Sequence, residues 1–167
     1  MTTRATFAAA AASTAAILAI AAQFHFAQAN VSGPITDLAG RWSGAGTVTP
    51  ASGPSESFKC VATYFPSQDG GRVQQNLRCN STNYKLEAVS ELQIRGNQVT
   101  GTWEDKSHAL NGVVSGSVTE DGFDILLSGK FFRAQMVVAS SRCEQSVTVT
   151  PAKADYIREL AASLKRC

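Results

Sequence analysis

From Gly40 onward the chain alternates between apolar and polar positions. In Gly40-Arg41-Trp42-Ser43-Gly44-Ala45-Gly46-Thr47-Val48, the positions Trp42, Gly44, Gly46 and Val48 share one phase, and Arg41, Ser43, Ala45 and Thr47 the other. That is the period of a β-strand. The cleanest alternation spans 83–94. Tyr84, Leu86, Ala88, Ser90, Leu92 and Ile94 face one way, and Asn83, Lys85, Glu87, Val89, Glu91 and Gln93 the other, as in a strand with one buried and one wet face. The same reading predicts strands over 40–49, 57–65, 72–79, 98–104, 108–118, 123–129, 131–139 and 143–149. Their inner phases include Val99, Gly101 and Trp103, then Leu110 to Val118 in steps of two, then Phe132, Ala134, Met136 and Val138.

Turn chemistry sets the register. Asp69-Gly70 is a favoured hairpin turn; centred there, it places Cys60 opposite Cys79, Ala62 opposite Leu77 and Tyr64 opposite Gln75. Arg95-Gly96-Asn97-Gln98 joins the next pair and sets Leu92 against Gly101 and Ser90 against Trp103. Asp121-Gly122 is read as a two-residue turn that sets Val118 against Ile125 and Gly116 against Leu127, with matching apolar phases. The segment 50–57 (PASGPSES) is a loop by composition.

The C-terminal stretch reads as a helix over 151–167. Thr150 suits the N-cap and Pro151 the first helical position. Ile157, Leu160, Ala161 and Leu164 form an apolar stripe between charged residues. The predicted fold is all-β: an up-and-down antiparallel barrel of about 8–9 strands over 40–150, with one C-terminal amphipathic helix. Closure removes the exposed edges that an open meander would have to protect.

Residues 1–29 do not belong to that barrel. Arg4 is their only charge, Phe7–Ala22 is an apolar run, and Ala27-Gln28-Ala29 precedes Asn30 as a small-residue cleavage pattern. This is the layout of a signal peptide, so the expected location is the periplasm or the extracellular space, with no stable membrane anchor after cleavage. Residues 30–39 form a short lead-in. The formal net charge is +2, including Arg4, which gives no electrostatic case for nucleic acid.

Four cysteines behind a signal peptide read as two disulfides. The hairpin register selects Cys60–Cys79 and leaves Cys143–Cys167. A helix over 152–166 spans roughly 21 Å and a strand over 143–149 roughly 20–23 Å, so a helix folding back along that strand brings Cys167 to Cys143. Cys143 shares its phase with Val147 and Val149. Either that phase is the outer, helix-covered face, or Cys143 lies beyond the regular strand. No C-x-x-C spacing occurs and His108 is the single histidine after the leader, so no metal site is expected.

No coherent catalytic set is present, and the chain is read as a non-enzyme. His108 stands near Glu104, Asp105 and Ser107, but neighbouring strand residues point to opposite faces. The pairs Glu87/Glu91 and Glu104/Asp105 read as solvated positions. The candidate ligand-binding residues are Trp42, Tyr64, Tyr84, Leu86, Trp103 and Phe123, all in the inner phase. The inner glycines either leave room for a ligand or let strands bend and tryptophans approach a facing backbone.

Gly40-Arg41-Trp42 on the first strand, the meander of hairpins and a terminal helix resemble the calycin-like barrels: lipocalins and, through GRWSGAG, nitrobindin-like proteins. The resemblance implies that Trp42 packs at the closed end under an arginine from late in the chain, with Arg133 and Arg142 as candidates. Nitrobindin-like proteins hold haem through a late histidine, whereas His108 is mid-chain, so no cofactor is expected. LRCNSTNYK (77–85), GTWED (101–105), LNGVVSG (110–116) and QSVTV (145–149) are similar to small exported proteins of alphaproteobacteria, a likeness that carries no activity with it. The expected function is binding of a small apolar or amphipathic ligand. The alternative is a protein-interaction module, such as a periplasmic protease or lysozyme inhibitor, that uses 30–39 and the 50–57 loop. The sequence leaves the oligomeric state open.

Overall fold

A computed structural model of the chain describes residues 35–153 and 155–167. The expected signal peptide over 1–29 and residues 30–34 of the lead-in lie outside the described residues. Ten antiparallel strands follow: β1 (Gly40–Pro50), β2 (Glu56–Pro66), β3 (Arg72–Asn80), β4 (Lys85–Arg95), β5 (Gln98–Asp105), β6 (Leu110–Val118), β7 (Gly122–Gly129), β8 (Arg133–Ser140), β9 (Glu144–Pro151) and β10 (Ile157–Lys165). Each pairs with its neighbour in sequence, and β10 pairs with β1 to close the barrel.

The all-β up-and-down barrel is therefore observed, with two corrections. There are ten strands, and the expected C-terminal helix is instead the closing strand β10. Leu160, Ala162 and Leu164 of β10 alternate inward, while Ser163 and Lys165 are exposed. Pairing on both sides, to Val48 and Val149 at Leu160 for instance, satisfies two strand edges at once. A helix in this place would have left both open.

The hairpin register at β2–β3 is as expected: Cys60↔Cys79, Ala62↔Leu77 and Tyr64↔Gln75. So is that at β4–β5, with Leu92↔Gly101 and Ser90↔Trp103. At β6–β7 the turn falls one residue earlier. Thr119 N donates to Gly122 O, so Val118 faces Phe123 and Gly116 faces Ile125. A shift of the turn by one moves the pairing by two and preserves the phase.

Followed once around the ten ladders, the register advances by about 12 residues, which for ten strands corresponds to a tilt of roughly 40° and a radius of ~10 Å. Such a barrel is wider than an eight-stranded one, whose side chains just fill the interior. Its two ends differ. At one end lie the starts of β1, β3, β5, β7 and β9. Here Ile35, Leu38, Trp42, Tyr64, Val73, Val99, Phe123, Val138 and Leu164 are almost fully buried. Ile35 and Leu38 come from a helical turn in the lead-in, closed by Leu38 N→Ile35 O at 3.2 Å.

Trp42 forms the floor of that end. Its Nε1 donates to Leu38 O at 2.9 Å, and the Arg166 guanidinium lies 4.6 Å from its ring centroid. Arg166 Nε donates to Arg142 O at 2.8 Å and Nη1 donates to the carbonyls of Asp37 and Ala39. The late arginine over the tryptophan is thus Arg166, not Arg133 or Arg142. Arg133 is exposed on β8, and Arg142 supplies only its carbonyl.

Both disulfides are present. Cys60–Cys79 joins two inward positions, 3% and 2% exposed, so this bridge lies inside the barrel. Cys143–Cys167 ties the β8–β9 connection to the end of β10. Val147 and Gln145 point inward and Cys143 precedes β9, which settles the open phase question: Cys143 lies beyond the regular strand.

Candidate binding site at the open end of the barrel

Below the midline the barrel is filled. Tyr64 Oη donates to Gln145 Oε1 at 3.0 Å and accepts from Gln75 Nε2 at 3.1 Å, and Gln145 Nε2 donates to Ser140 Oγ at 2.9 Å. This chain of neutral groups bridges β2, β3 and β9 across the interior. Burial pushes the Tyr64 hydroxyl up to about 12, because the anion would lose its water. Beside it and the Cys60–Cys79 bridge, between Leu77, Val147, Leu160 and Ala162, remains a space of ≈10 Å³, room for about one water.

The opposite end is different. Its rim is formed by the β1–β2, β3–β4, β5–β6, β7–β8 and β9–β10 connections. Ten apolar side chains are only partly buried against the core, and all but Ile94 and Val118 lie in this half: Leu77, Leu86, Leu110, Leu127, Phe132, Val149, Ile157 and Leu160. A side chain on the inner phase of a closed barrel reaches solvent only through the lumen. These positions give the rim half of the lumen an apolar lining, with Leu77 and Leu160 bordering the ≈10 Å³ space beside the Cys60–Cys79 bridge.

Polar groups converge on one side of that lining. Asp105 ends β5 in the phase of Val99, Gly101 and Trp103, and is 6% exposed. The expectation that Glu104 and Asp105 are both solvated thus holds for Glu104 alone. The β5–β6 connection doubles back, with Ala109 at φ 51°. It sets His108 Nδ1 2.6 Å from Asp105 Oδ2, and Ser107 N donates to Asp105 Oδ1 at 2.9 Å. Tyr84 stacks on the His108 ring, centroids 5.7 Å apart. Its hydroxyl is raised from its ordinary value by burial and then by the charge of Asp105. Glu56 accepts from Ser81 Oγ and from Asn83 N, and so fixes the β3–β4 connection that carries Tyr84.

Trp103 lies beside this cluster. It pairs with Ser90 and Gly112 across the ladders, and its ring meets Phe132 edge-on at 70°, centroids 5.7 Å apart. A Cβ on Gly112 would stand 2.7 Å from Trp103 Nε1, and one on Gly129 would stand 3.1 Å from Cζ2. The indole thus occupies inner space that β6 and β7 vacate by having glycine. Among the described residues its Nε1 is the buried side-chain polar atom without a hydrogen-bond partner, which costs roughly 1–3 kcal/mol when nothing supplies an acceptor.

The six expected site residues therefore divide. Tyr84, Leu86 and Trp103 all lie in the rim half of the barrel. Tyr64 belongs to the polar floor, and Trp42 and Phe123 are packed in the closed half. The two surfaces assigned to a protein contact lie at opposite ends, 35–39 under the floor and 51–55 on the rim. Asp105 and His108 are not among the residues the sequence marks as a site, although the phase Asp105 shares with Trp103 is a signal for it. A broader depression of ≈580 Å³ lies at the closed end, lined by Ser141, Glu144, Ser146, Ser163 and Lys165 among others. Its hydroxyls and the exposed Lys165–Glu144 pair at 3.2 Å mark a wet surface groove.

No protein-family model matches the chain, and no sequence among curated proteins does. Solved structures do match in fold. Rv2717c from M. tuberculosis aligns at 12% identity over 80% of this chain and 94% of its own, with a TM-score of 0.65. The S-type phycobiliprotein lyase CPES from Guillardia theta aligns at 8% identity over 78% of this chain and 88% of its own, with a TM-score of 0.56. At these identities the likeness establishes the fold alone: the chain is an antiparallel β-barrel, as both neighbours are.

Proposed function

We propose that this chain is an exported, calycin-like binding protein that takes a small apolar or amphipathic ligand at the open end of its barrel, without catalysis and without a cofactor. One observation carries the reading: of the ten inward apolar side chains that are only partly buried, eight lie in the Trp103 half of the barrel and two, Ile94 and Val118, in the Trp42 half. Apolar surface left accessible inside a stapled barrel is what an apolar ligand would cover, at ~25 cal/mol per Å² removed from water. Two disulfides support an oxidising compartment. One structural neighbour is by name a lyase, which brings an enzymatic role into view. His108–Asp105 is an acid–base-capable pair. Among the described residues, however, no hydroxyl is hydrogen-bonded to His108, and the proposed role of the pair is to give the lining a polar side.

The test is titration of the mature protein with N-phenyl-1-naphthylamine, a neutral apolar fluorophore. Saturable enhancement at one site per chain, with methyl shifts confined to Leu86, Leu110, Leu127 and Leu160, supports the reading. Linear, unsaturable enhancement sinks it.

A second reading is favoured by a specific observation. Phe131 and Tyr156 are 81% and 86% exposed on neighbouring rim connections, as aromatic anchors of a protein interface would be. A stoichiometric periplasmic partner whose retention is lost in Phe131→Ser with Tyr156→Ser would favour a protein contact over a small ligand.

A further inference from the structure

The two ends of the barrel carry their charge differently. At the closed end, the connections and the strand-terminal residues beside them hold the side chains Arg72, Arg95, Arg142, Lys165 and Arg166 against Asp37, Asp69, Glu120, Asp121 and Glu144. The signs balance there. The corresponding segments at the rim hold Lys85, Lys106, Lys130, Arg133 and Lys153 against Glu56, Asp105 and Asp155. Two of those three acids are engaged within the fold. Glu56 accepts from Ser81 Oγ and Asn83 N. Asp105 is bonded to His108 Nδ1 and accepts from Ser107 N. The five rim cations are all exposed, and among the described residues none of them forms an ion pair.

The most exposed aromatic side chains stand at the same end. Phe131 and Tyr156 are 81% and 86% exposed, more than any other large hydrophobic side chain among the described residues. Lys130 Nζ lies 5.0 Å from the Phe131 ring centroid. The connections that carry them are tied to their neighbours by Ala152 N→Arg133 O at 2.8 Å and Ala51 N→Tyr156 O at 2.9 Å. Phe132 and Ile157, next to them in sequence, belong to the partly buried apolar lining of this half.

The spread of the charge says which kind of partner fits. The five cations stand on four different connections, and so are distributed around a ring of radius ~10 Å. A protein hot spot gathers its anchors into one packed patch, with near-neutral contacts around them. A flat anionic surface meets cations all around a ring at once, each strengthening binding about 5-fold. Exposed aromatic side chains settle at the headgroup level of such a surface.

We infer that the rim is a docking surface for an anionic phospholipid bilayer, with Phe131 and Tyr156 entering the headgroup boundary and the five cations held against the lipid phosphates. Docked in this way, the barrel turns its rim end to the membrane and its Trp42 end away. The inference goes beyond the small-ligand reading and does not need it, since a barrel with a filled interior would dock equally well.

The experiment sediments the mature protein with sucrose-loaded vesicles, either of phosphatidylcholine alone or of phosphatidylcholine mixed with phosphatidylglycerol. Binding to the mixed vesicles is expected to be at least about 10-fold tighter than to the neutral ones, and to weaken as salt rises. Lys130→Gln with Lys153→Gln lowers affinity for the mixed vesicles roughly 25-fold, at about 5-fold per charge. Phe131→Ser with Tyr156→Ser lowers it ~10-fold or more. All four side chains are exposed, so thermal midpoints stay near that of wild type. Arg72→Gln with Arg95→Gln, at the closed end and more than a Debye length from the rim, leaves affinity within about 2-fold. In Phe131→Trp the emission of the new indole moves to the blue on mixed vesicles. No sedimentation with mixed vesicles, equal affinity for both kinds, an equal loss in the closed-end pair, or an unshifted emission in Phe131→Trp overturns the inference. So does retention of a stoichiometric protein partner through Phe131 and Tyr156 without vesicle binding, which gives the surface to a protein contact. All of these outcomes leave the N-phenyl-1-naphthylamine titration, and the reading it tests, untouched.

Discussion

Replacing Arg166 by alanine tests what seals the closed end. The side chain closes a circuit: one face over the Trp42 ring at 4.6 Å, Nε on Arg142 O at 2.8 Å, and Nη1 on the carbonyls of Asp37 and Ala39. Each hydrogen bond from a charged donor is worth roughly 1.5–3 kcal/mol when sheltered, and the stacking on Trp42 ~0.5–2 kcal/mol. The guanidinium is part-exposed, and the three carbonyls can turn to water in its absence, so most of the hydrogen-bond contribution is recovered. The expected net loss is about 2–3 kcal/mol, and at ~3–5 °C per kcal/mol for a domain of this size the midpoint falls by roughly 10 °C.

The assay is thermal and urea unfolding, read by far-ultraviolet dichroism and by tryptophan emission. Arg166→Ala should also open Trp42 to acrylamide, because the lead-in turn carrying Leu38 O loses its tie. Arg166→Lys keeps the charge but not the fork, and should recover less than half of the loss. Arg133→Ala and Arg142→Ala are the controls, each within about 0.5 kcal/mol of wild type, since neither side chain touches Trp42. The account fails if Arg166→Ala is as stable as wild type, or if Arg142→Ala costs as much as Arg166→Ala.

Tyr64 gives an alkaline signature. Burial raises its folded pKa from 10.0 to about 12, so the folded state favours the protonated hydroxyl. That contribution is fully present below pH 10 and is lost as pH rises through 12, by about 2–3 kcal/mol. Tyr64→Phe should lack this decline while being ~1–3 kcal/mol less stable at neutral pH, with Gln75 and Gln145 left short of a partner; parallel unfolding curves from pH 8 to 11 check both. The disulfides span sequence separations of 19 and 24, so removing either by paired Cys→Ser costs about 3 kcal/mol, measurable as a shift in urea midpoint. Gly101→Ala would place a Cβ 2.0 Å from Glu91 O. The neighbouring backbone cannot yield cheaply, so the variant should lose several kcal/mol or fail to accumulate, whereas Gly53→Ala, in an open loop, costs only the strain of its positive φ.

Local chemistry made most of this barrel legible. Asp69-Gly70 fixes the β2–β3 register without reference to the cysteines, and Cys60 and Cys79 then meet because the ladder is antiparallel. The β6–β7 turn misled by one residue because Glu120, Asp121 and Gly122 offer two overlapping turns and the sequence does not rank them. The C-terminal error has a different cause. Leu160, Ala161 and Leu164 fit a helical stripe, while Leu160, Ala162 and Leu164 fit a strand. Ala, Leu, Glu, Arg and Lys favour the helix intrinsically. What decides is non-local: β1 and β9 each keep one unpaired edge until β10 lies between them, and tertiary pairing overrides propensity. Arg166 went unnoticed for the same reason, since a helix at 151–167 gives it no route to Trp42. Asp105 was legible by phase but set aside by residue type.

The two ends of the barrel make opposite use of a tryptophan. At the floor, Trp42 has every need met inside the chain: its N–H by Leu38, its ring by Arg166, its surroundings by the lead-in turn. The Cys143–Cys167 bridge holds β10 where Arg166 can reach it. At the mouth, Trp103 is positioned as firmly, on a strand whose neighbours give up their side chains to make room, yet its N–H is left unmet. A chain evolving for stability alone has cheap remedies there. Phenylalanine at 103 removes the donor, and asparagine at 90, directly across the ladder, would offer an acceptor on a longer reach than serine. Rigidity at the floor is what makes an unmet donor at the mouth tolerable, because the stapled half holds the strands in register without it. The asymmetry therefore gives a test: weakening the floor through Arg166 or Cys143–Cys167 should lower the unfolding midpoint and leave N-phenyl-1-naphthylamine affinity nearly unchanged below it.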